Sequence, residues 1–479
     1  MLEVFVTDHG FSIIEIVIAM AIGVMMITAV EIAAFGNQTS LTSSVQSAEV
    51  VSGARTLIEE VQSLARKDFN LVNPTSTISD YTKSVSVTLQ PDFVTKLVTT
   101  RVTMTENPAI ATSYMTLVTN IENVNSPDTC DSTPSGDWSN PRIASSTISS
   151  LLGTTSLFSI SDVDAYKGKV YVTSDRRSYK TDPVLFIIDA SIPSHPVIDT
   201  NFSNKASATL GPTALRVADD FLAHKRYAYL ASKNSSLTHT PQFQIMDVTD
   251  GTISMVSTTT TGGGDGNAIS YHDGYVYLGL TSEAAQELQI IDVHSPASPV
   301  WKGGYSLGHD ANSIIVRDRH AYIASPGSEN MAVLDVIDPM HPSYLGGYTS
   351  PYPPGVGSNY GERLYLVGDS IYLGRSFGTN ELYVLDVSDP TSISAQSSFD
   401  IGTNNQTSIY GLRIRDDFAF IASKTKFIVL HRNADNSFTA IASTTLPSSA
   451  TSMDCEGNTL YVGSNDVSGN GWISIISPG

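Results

Sequence analysis

Hydrophobic residues dominate the chain from Phe11 to Phe35, where the only charged residues are Glu15 and Glu31. An α-helix rises about 1.5 Å per residue, so this stretch of roughly 25 residues would extend about 37 Å and span a bilayer. Apolar residues continue beyond it at helical spacing, with charged residues on the opposite face. The pattern predicts one long helix over residues 11–67, whose first half lies in a membrane or in an apolar assembly.

The pattern changes after Asn73-Pro74, because proline cannot continue a helix. Polar and apolar residues then alternate in three short segments, which predict antiparallel strands at 84–89, 97–105 and 114–121. These strands would form a small sheet within residues 75–122. Residues 123–142 are rich in Asn, Ser, Pro, Asp and Thr, and this composition predicts a linker.

The remaining residues, 143–479, contain a repeated apolar strand that ends in aspartate. The clear copies are Leu185–Asp189, Phe243–Asp247, Leu288–Asp292, Met331–Asp335 and Leu382–Asp386, and the weaker copies are Lys426–Leu430 and Trp472–Ile476. A second apolar strand with an aromatic residue precedes each copy, as in Tyr275-Val-Tyr-Leu278. Seven copies at a spacing of roughly 45 residues predict an all-β seven-bladed β-propeller. A solenoid built from the same units is the alternative.

The last copy ends after its third strand, close to Gly479, so the fourth strand of that blade has to come from elsewhere. Residues 143–152 precede the first copy and alternate Ser and Thr with Ile and Leu. We expect them to pair with the last blade, which would close the ring and remove an open sheet edge.

The sequence Gly10-Phe11-Ser12-Ile13-Ile14-Glu15 opens the apolar helix and resembles the class III signal of bacterial type IV pilins and pseudopilins. The resemblance implies that a prepilin peptidase removes a leader, residues 1–10, by cutting after Gly10, and that the new terminus on Phe11 is methylated. It also implies that Glu15 pairs with the terminal amine of a neighbouring subunit, which avoids most of the cost of a buried charge. The leader departs from the family in containing no Lys or Arg. A signal anchor and a secretory signal are the alternatives.

The repeated strands of residues 143–479 resemble LVIVD repeats, which are named after the sequence of their third strand. Asp338-Pro339 and Asp389-Pro390 match the turn that follows this strand. The resemblance implies a propeller, and propellers support unrelated functions.

Net charge and cysteine content narrow the classes of function. The formal net charge is -20 and the pI is near 4.7, which argues against general nucleic-acid binding because such binding needs a positive surface. Cys130 and Cys455 permit one disulfide at most. Cys455 falls at a core position of the seventh repeat, so a buried free thiol and a bond to Cys130 are both open.

His309 and Asp310 are the candidates for ligand contact in the propeller. They lie just before the first strand of the fourth repeat, where loops border the central channel, and other repeats have no counterpart. His272-Asp273, in contrast, occupies a hairpin turn and is predicted to be structural. The glycine-rich segment 261–267 lacks the residues of a calcium or phosphate loop and is predicted to connect blades.

Four charged residues occupy equivalent positions in the first strands of neighbouring blades. They would pair Arg413 with Asp454 and Arg216 with Asp164. Such pairs either fix neighbouring blades to each other or form a polar site near the channel, and the first interpretation is favoured. The sequence contains no Cys/His cluster, catalytic triad or carboxylate pair that predicts a metal site or catalysis.

These features predict a multidomain chain, with a long amino-terminal helix and a small antiparallel sheet followed by a seven-bladed propeller. The expected function is that of a minor type IV pilin-like surface protein, which displays the propeller for binding or adhesion near a filament tip. The chain is not expected to be an enzyme or to hold a cofactor or metal. A major pilus subunit or secretion-system pseudopilin, and a pilus-tethered extracellular enzyme, are the alternatives.

The expected partners follow from the same interpretation. They are other pilin subunits, which the helix would contact, the prepilin peptidase, and a surface, glycan or protein ligand of the propeller. The expected location is the inner membrane for the precursor, and then the extracellular pilus or cell surface.

Overall fold

The computed structural model describes residues 81–89, 95–104, 111–119, 129–130, 133–177, 182–203, 211–220, 225–233, 241–261, 263–327, 329–350, 360–376, 380–402 and 408–479. They belong to two compact units, Met1–Val124 and Asn125–Gly479. The predicted helix over 11–67, with the processing and assembly residues Gly10, Phe11 and Glu15, lies outside the described residues. Within the described ranges, no helix has the length and hydrophobicity needed to cross a membrane.

The described part of the first unit is a three-stranded antiparallel sheet. It contains β1 (Tyr81–Leu89), β2 (Thr95–Met104) and β3 (Ala111–Thr119), in the order β1-β2-β3. These strands overlap the three segments in which the sequence alternates. The pairing is continuous from Tyr81↔Met104 to Leu89↔Lys96, as regular alternation requires.

The second unit is a seven-bladed β-propeller, which confirms the architecture predicted from the repeats. Blade 1 contains β6 (Phe158–Tyr166), β7 (Lys169–Arg177), β8 (Leu185–Asp189) and β9 (Val197–Phe202). Blade 2 contains β10 (Pro212–Asp220), β11 (Lys225–Ser232), β12 (Phe243–Asp247) and β13 (Ser254–Thr259). Blade 3 contains β14 (Gly266–His272), β15 (Tyr275–Leu280), β16 (Leu288–Asp292) and β17 (Val300–Tyr305).

The other blades repeat this arrangement. Blade 4 contains β18 (Ser313–Arg317), β19 (His320–Ala324), β20 (Met331–Asp335) and β21 (Ser343–Tyr348). Blade 5 contains β22 (Tyr360–Val367), β23 (Ser370–Ser376), β24 (Leu382–Asp386) and β25 (Ser394–Phe399). Blade 6 contains β26 (Gly411–Arg415), β27 (Phe418–Ser423), β28 (Lys426–Arg432) and β29 (Phe438–Thr445). Blade 7 contains β30 (Ser449–Gly457), β31 (Thr459–Asn465) and β32 (Gly471–Ser477).

The third strand of blades 1 to 5 is buried at four consecutive positions and half-buried at its final aspartate. Both faces of this strand are covered, so its sequence is a continuous apolar run instead of an alternation. The aspartate forms the turn that follows, because Asp189 Oδ1 accepts a hydrogen bond from Ser191 N at 2.9 Å. Equivalent bonds form at Asp247, Asp292, Asp335 and Asp386.

The seventh blade also contains β4 (Thr129–Cys130) and β5 (Arg142–Thr147), so it combines both ends of the unit in the order β4-β30-β31-β32-β5. β5 pairs antiparallel with β32, which is the position expected for residues 143–152. α1 (Ile148–Leu152), the one helix among the described residues, follows β5 directly. Thr147 caps α1 by accepting a hydrogen bond from Ser150 N at 3.1 Å, so the segment turns away from the sheet after the closing strand.

Part of the predicted linker, residues 123–142, packs onto the seventh blade. β4 (Thr129–Cys130) pairs with β30 in parallel, and Trp138 is buried with its ring 4.6 Å from that of Phe420. A polar composition indicates exposure only as an average over the segment. Here Cys130 and Trp138 hold an otherwise polar stretch on the core.

Candidate functional site

The innermost strands of the blades surround the central channel of the propeller, so their side chains are placed to reach a ligand. Each innermost strand contacts that of the next blade, and β30 contacts β6, which closes the ring. A register shift near the start of several of these strands turns a polar side chain toward the next blade. Ser161, Thr213, Asn267 and Asn312 each donate a hydrogen bond to a backbone carbonyl of the following blade, over 2.5 to 3.0 Å.

Arg363, on the innermost strand of blade 5, binds carbonyls of three other blades. Its Nε atom donates to Tyr410 O in blade 6 at 2.9 Å, and Nη1 donates to Asn312 O in blade 4 at 3.2 Å. Its Nη2 atom donates to Thr451 O in blade 7 at 3.3 Å. One guanidinium therefore connects four blades. Arg363 was not predicted from the sequence, because the register shift beside Gly361 that marks it is visible only in the fold.

Both arginine–aspartate pairings predicted from the first strands are present. Arg413 Nε donates to Asp454 Oδ1 at 3.0 Å, and Arg216 Nη1 donates to Asp164 Oδ1 at 3.3 Å. The two aspartates are buried, with 0% of Asp164 and 3% of Asp454 exposed. Each also accepts a backbone N–H of the next blade, at 2.7 Å for Asp454 and 2.5 Å for Asp164. These contacts support the interpretation that the pairs fix neighbouring blades.

The two buried carboxyl groups also form a hydrogen bond with each other, and their pKa values shift in opposite directions. Burial raises the pKa of Asp164 well above its ordinary value, and the neighbouring Asp454 raises it further. Burial opposes the ionisation of Asp454 as well, but the Arg413 guanidinium and the hydrogen bond from Asp164 hold the pKa of Asp454 below its ordinary value. The Arg216 guanidinium opposes the rise in the pKa of Asp164. The two shifts favour a proton on Asp164, which donates to the Asp454 carboxylate.

His309 and Asp310 lie in the connection from blade 3 to blade 4. Asp310 Oδ1 accepts a hydrogen bond from Ser282 N at 2.7 Å, which ties this connection to a turn of blade 3. His309 is exposed, with its ring beside Gly327 of blade 4. Asp310 thus stabilises the loop, whereas the imidazole of His309 is accessible to solvent.

His272-Asp273 lies at a hairpin turn, as predicted. Asp273 and Gly274 have φ values of 45° and 75°, as in the type I′ turn that joins two antiparallel strands. Asp318 and Asp416 occupy the equivalent place in their blades, each with a φ of 53°. Aspartate recurs there because its short polar side chain tolerates the left-handed backbone.

Cys130 and Cys455 form a disulfide, with Cα atoms 5.2 Å apart. Cys455 is buried in the innermost strand of blade 7, and Cys130 is half-buried in β4. Both sulfurs and a carboxylate oxygen of Asp454 lie within 4.8 Å of one another, but sulfurs bonded to each other do not act as thiolate ligands. The bond fastens the start of this unit to its last blade.

Two open clefts lie between neighbouring blades. The first, of about 520 Å³, lies between blades 1 and 2, and its cationic residues are Lys167, Lys169, Lys225 and Arg226. Each of these cations forms an ion pair with an aspartate of the propeller, so their charges are neutralised within the protein. The second, of about 470 Å³, lies between blades 6 and 7 and is lined by Tyr410, Lys424, Ser449, Ala450, Thr451 and Asn465.

Comparison with protein families agrees with the repeat structure. The LVIVD repeat family matches residues 263–306, 308–350 and 365–401, which correspond to blade 3, blade 4 and most of blade 5. The chain contains LVIVD repeats in a seven-bladed β-propeller. No curated protein matches the sequence.

Solved structures share the propeller at low sequence identity. The periplasmic gluconolactonase of Pseudomonas aeruginosa is 12% identical, with a TM-score of 0.50, over 61% of this chain and 86% of that chain. Sqt1 of Saccharomyces cerevisiae is 10% identical, with a TM-score of 0.46, over 65% of this chain and 81% of that chain. At 12% identity, the similarity to the gluconolactonase concerns the fold alone.

Proposed function

We propose that the chain is a minor type IV pilin-like surface protein that displays its propeller as a binding or adhesion module. In this proposal the leader is removed after Gly10, and Glu15 directs the helix into a filament through contact with other pilin subunits. The precursor resides in the inner membrane, and the mature protein is carried to the pilus or cell surface. The support for these steps is the sequence around Phe11.

The observation that carries the extracellular part of the proposal is the disulfide between Cys130 and Cys455. Disulfides form and persist in oxidising compartments and are rare in the cytosol. Cys455 is buried, so the bond is part of the propeller core. A disulfide in the core supports maturation of the propeller outside the cytosol, as display on a filament demands.

The proposal assigns binding, and not catalysis, to the propeller. The ionisable groups that are buried along the described innermost strands are engaged in contacts between blades, as for Asp164, Asp454 and Arg415. The gluconolactonase shares the fold at 12% identity, so its activity does not transfer to this chain. LVIVD repeats in a closed ring support a rigid platform whose loops and clefts can hold a ligand.

A processing and assembly experiment tests the proposal. Cells producing the chain are sheared, and the released filaments are probed for the propeller in wild type, Glu15→Ala and Glu31→Ala. We expect cleavage after Gly10 in all three, loss of the propeller from filaments for Glu15→Ala only, and retention for the matched Glu31→Ala variant. A Glu15→Ala chain that still enters filaments, or a chain that keeps its leader, would contradict the proposal. Copy number per filament then separates a minor subunit from a major one.

A further inference from the structure

We infer that the cleft between blades 6 and 7 binds a saccharide that carries a carboxylate group, such as a uronic acid. The inference rests on the proposed binding function of the propeller and specifies the class of its ligand. The cleft of about 470 Å³ falls within the range of roughly 300–1,000 Å³ that is usual for small-molecule sites. Its lining combines one ammonium group, one aromatic ring, and several hydroxyl and amide groups.

Lys424 supplies the charge that would bind the carboxylate. It is exposed, and its ammonium group has no acidic partner among the described residues, in contrast to the cations of the cleft between blades 1 and 2. Its backbone is fixed, because Lys424 O accepts a hydrogen bond from Ala450 N at 2.8 Å and its φ is 46°. An ammonium group forms strong, charge-assisted hydrogen bonds with a carboxylate.

Thr451 supplies a second, independent observation. It occupies the register-shift position at which Ser161 and Thr213 donate to the next blade. In blade 7 the side chain of Asn465 makes that link, through bonds of 2.7 and 2.8 Å to the backbone of Ile160. The Thr451 hydroxyl is buried at the wall of the cleft and makes no hydrogen bond within the described ranges. Such a group costs free energy, and a hydrogen bond to a ligand hydroxyl in the cleft would offset that cost.

Tyr410 supplies the aromatic surface. Its backbone is held on both sides, because Tyr410 N donates to Ala422 O at 3.0 Å and Tyr410 O accepts from Arg363 Nε at 2.9 Å. Its side chain lines the cleft and is half-buried, so part of the ring can contact a ligand. Aromatic rings pack on apolar faces while their polar edges stay hydrogen-bonded, which suits the C–H face of a sugar ring.

The combination points to an acidic sugar and away from simpler ligands. A free carboxylate would use Lys424 alone, and a neutral sugar would use Tyr410 and Thr451 without the charge. The side-chain amide of Asn465 lines the cleft but is hydrogen-bonded to the backbone of Ile160. The polar side chains that remain for a ligand are therefore those of Lys424, Thr451 and Ser449.

Calorimetric titration of the full-length chain tests the inference with three kinds of probe. Glucuronate, galacturonate and N-acetylneuraminate are the acidic sugars, glucose and galactose are the neutral controls, and acetate is the free carboxylate. We expect at least one acidic sugar to bind at least about tenfold more tightly than glucose, galactose and acetate. Raising the ionic strength should weaken that binding, because a charge pair contributes to it.

Substitutions assign the binding to this cleft. Lys424→Ala should weaken the affinity for the acidic sugar by about tenfold, which corresponds to the loss of one charge-assisted contact. Lys426→Ala is the matched control, because Lys426 is also an exposed lysine of blade 6 but does not line the cleft. Thr451→Val should weaken binding severalfold without lowering thermal stability, since it removes a hydroxyl that forms no hydrogen bond with the described residues.

Three results would overturn the inference. They are equal loss of affinity for Lys424→Ala and Lys426→Ala, acetate or neutral sugars binding as tightly as the acidic sugar, and no heat of binding for any acidic sugar. A chain that is displayed and adheres to a surface while failing these titrations would leave the proposed function intact. A chain that binds the acidic sugar but never reaches the cell surface would overturn only the proposed function.

Discussion

Asp164 and Asp454 form a hydrogen bond between their buried carboxyl groups at the seam where blade 1 meets blade 7. Two adjacent carboxylates would repel each other, so the contact requires a shared proton. Arg413 favours the charged form on Asp454, and burial favours the neutral form on Asp164. The closure of the ring thus depends on a network that extends from blade 6 to blade 2.

Substitution of the two aspartates should have unequal effects. Asp164→Asn is expected to be tolerated, because an amide can donate to Asp454 as the protonated carboxyl does. Asp454→Asn places a neutral amide against the half-buried Arg413 guanidinium and should lower the free energy of unfolding by about 3–5 kcal/mol. Urea unfolding of both variants measures the difference. Equal destabilisation would contradict the assignment of the proton to Asp164.

The same proton predicts a pH dependence. The pKa of Asp164 is raised by folding, so its contribution to stability is fully present below the pKa of about 3.9 in the unfolded chain and is lost as the pH rises. Asp164→Asn has no such loss. The stability of the variant relative to wild type should therefore increase from pH 4 toward pH 7, measured as the difference in urea midpoints. A constant difference across this range would show that Asp164 is ionised in the folded protein.

The disulfide should stabilise the propeller through the attachment of β4 to β30. Cys130→Ala is expected to lower the free energy of unfolding by about 2–5 kcal/mol, because it releases a constraint between distant parts of the chain. A reducing agent should destabilise wild type to a similar extent. The variant is its own control, since the reductant should leave its unfolding midpoint unchanged, and any shift there would indicate another effect of the reagent.

Arg363 should matter more than a typical surface arginine. Arg363→Leu removes the donors to Asn312, Tyr410 and Thr451, and each carbonyl left without a donor costs about 1–3 kcal/mol. Arg319→Leu is the matched control, because Arg319 is exposed and its one acidic partner among the described residues is Asp335. Its loss should therefore cost about 1 kcal/mol or less. Thermal unfolding compares the two variants. Similar costs would mean that Arg363 does not connect the blades.

The features predicted from sequence are those that repeat along the chain. The apolar strand ending in Asp335, for example, recurs because every blade buries its third strand on both faces and turns at the aspartate. Alignment of the repeats also placed Arg413 beside Asp454, since equivalent positions in successive blades become neighbours.

Features that occur once could not be found in this way. Trp138 lies in a polar segment, and its contact with Phe420 joins residues far apart in the sequence. The cleft at Lys424 likewise could not be found from the sequence. Only the folded ring shows that Lys424 has no acidic partner among the described residues, whereas other cations do. The sequence allowed a disulfide between Cys130 and Cys455 but could not show that the two residues are close. The pairing of β4 with β30 brings them together.

Immunogold labelling of the propeller on intact cells tests the proposed display most directly. Wild-type cells should carry label outside the cell, in sparse positions on filaments or at their tips, and Glu15→Ala cells should lose the filament label. Cells that show label only after permeabilisation, in wild type and variant alike, would contradict a surface-displayed propeller.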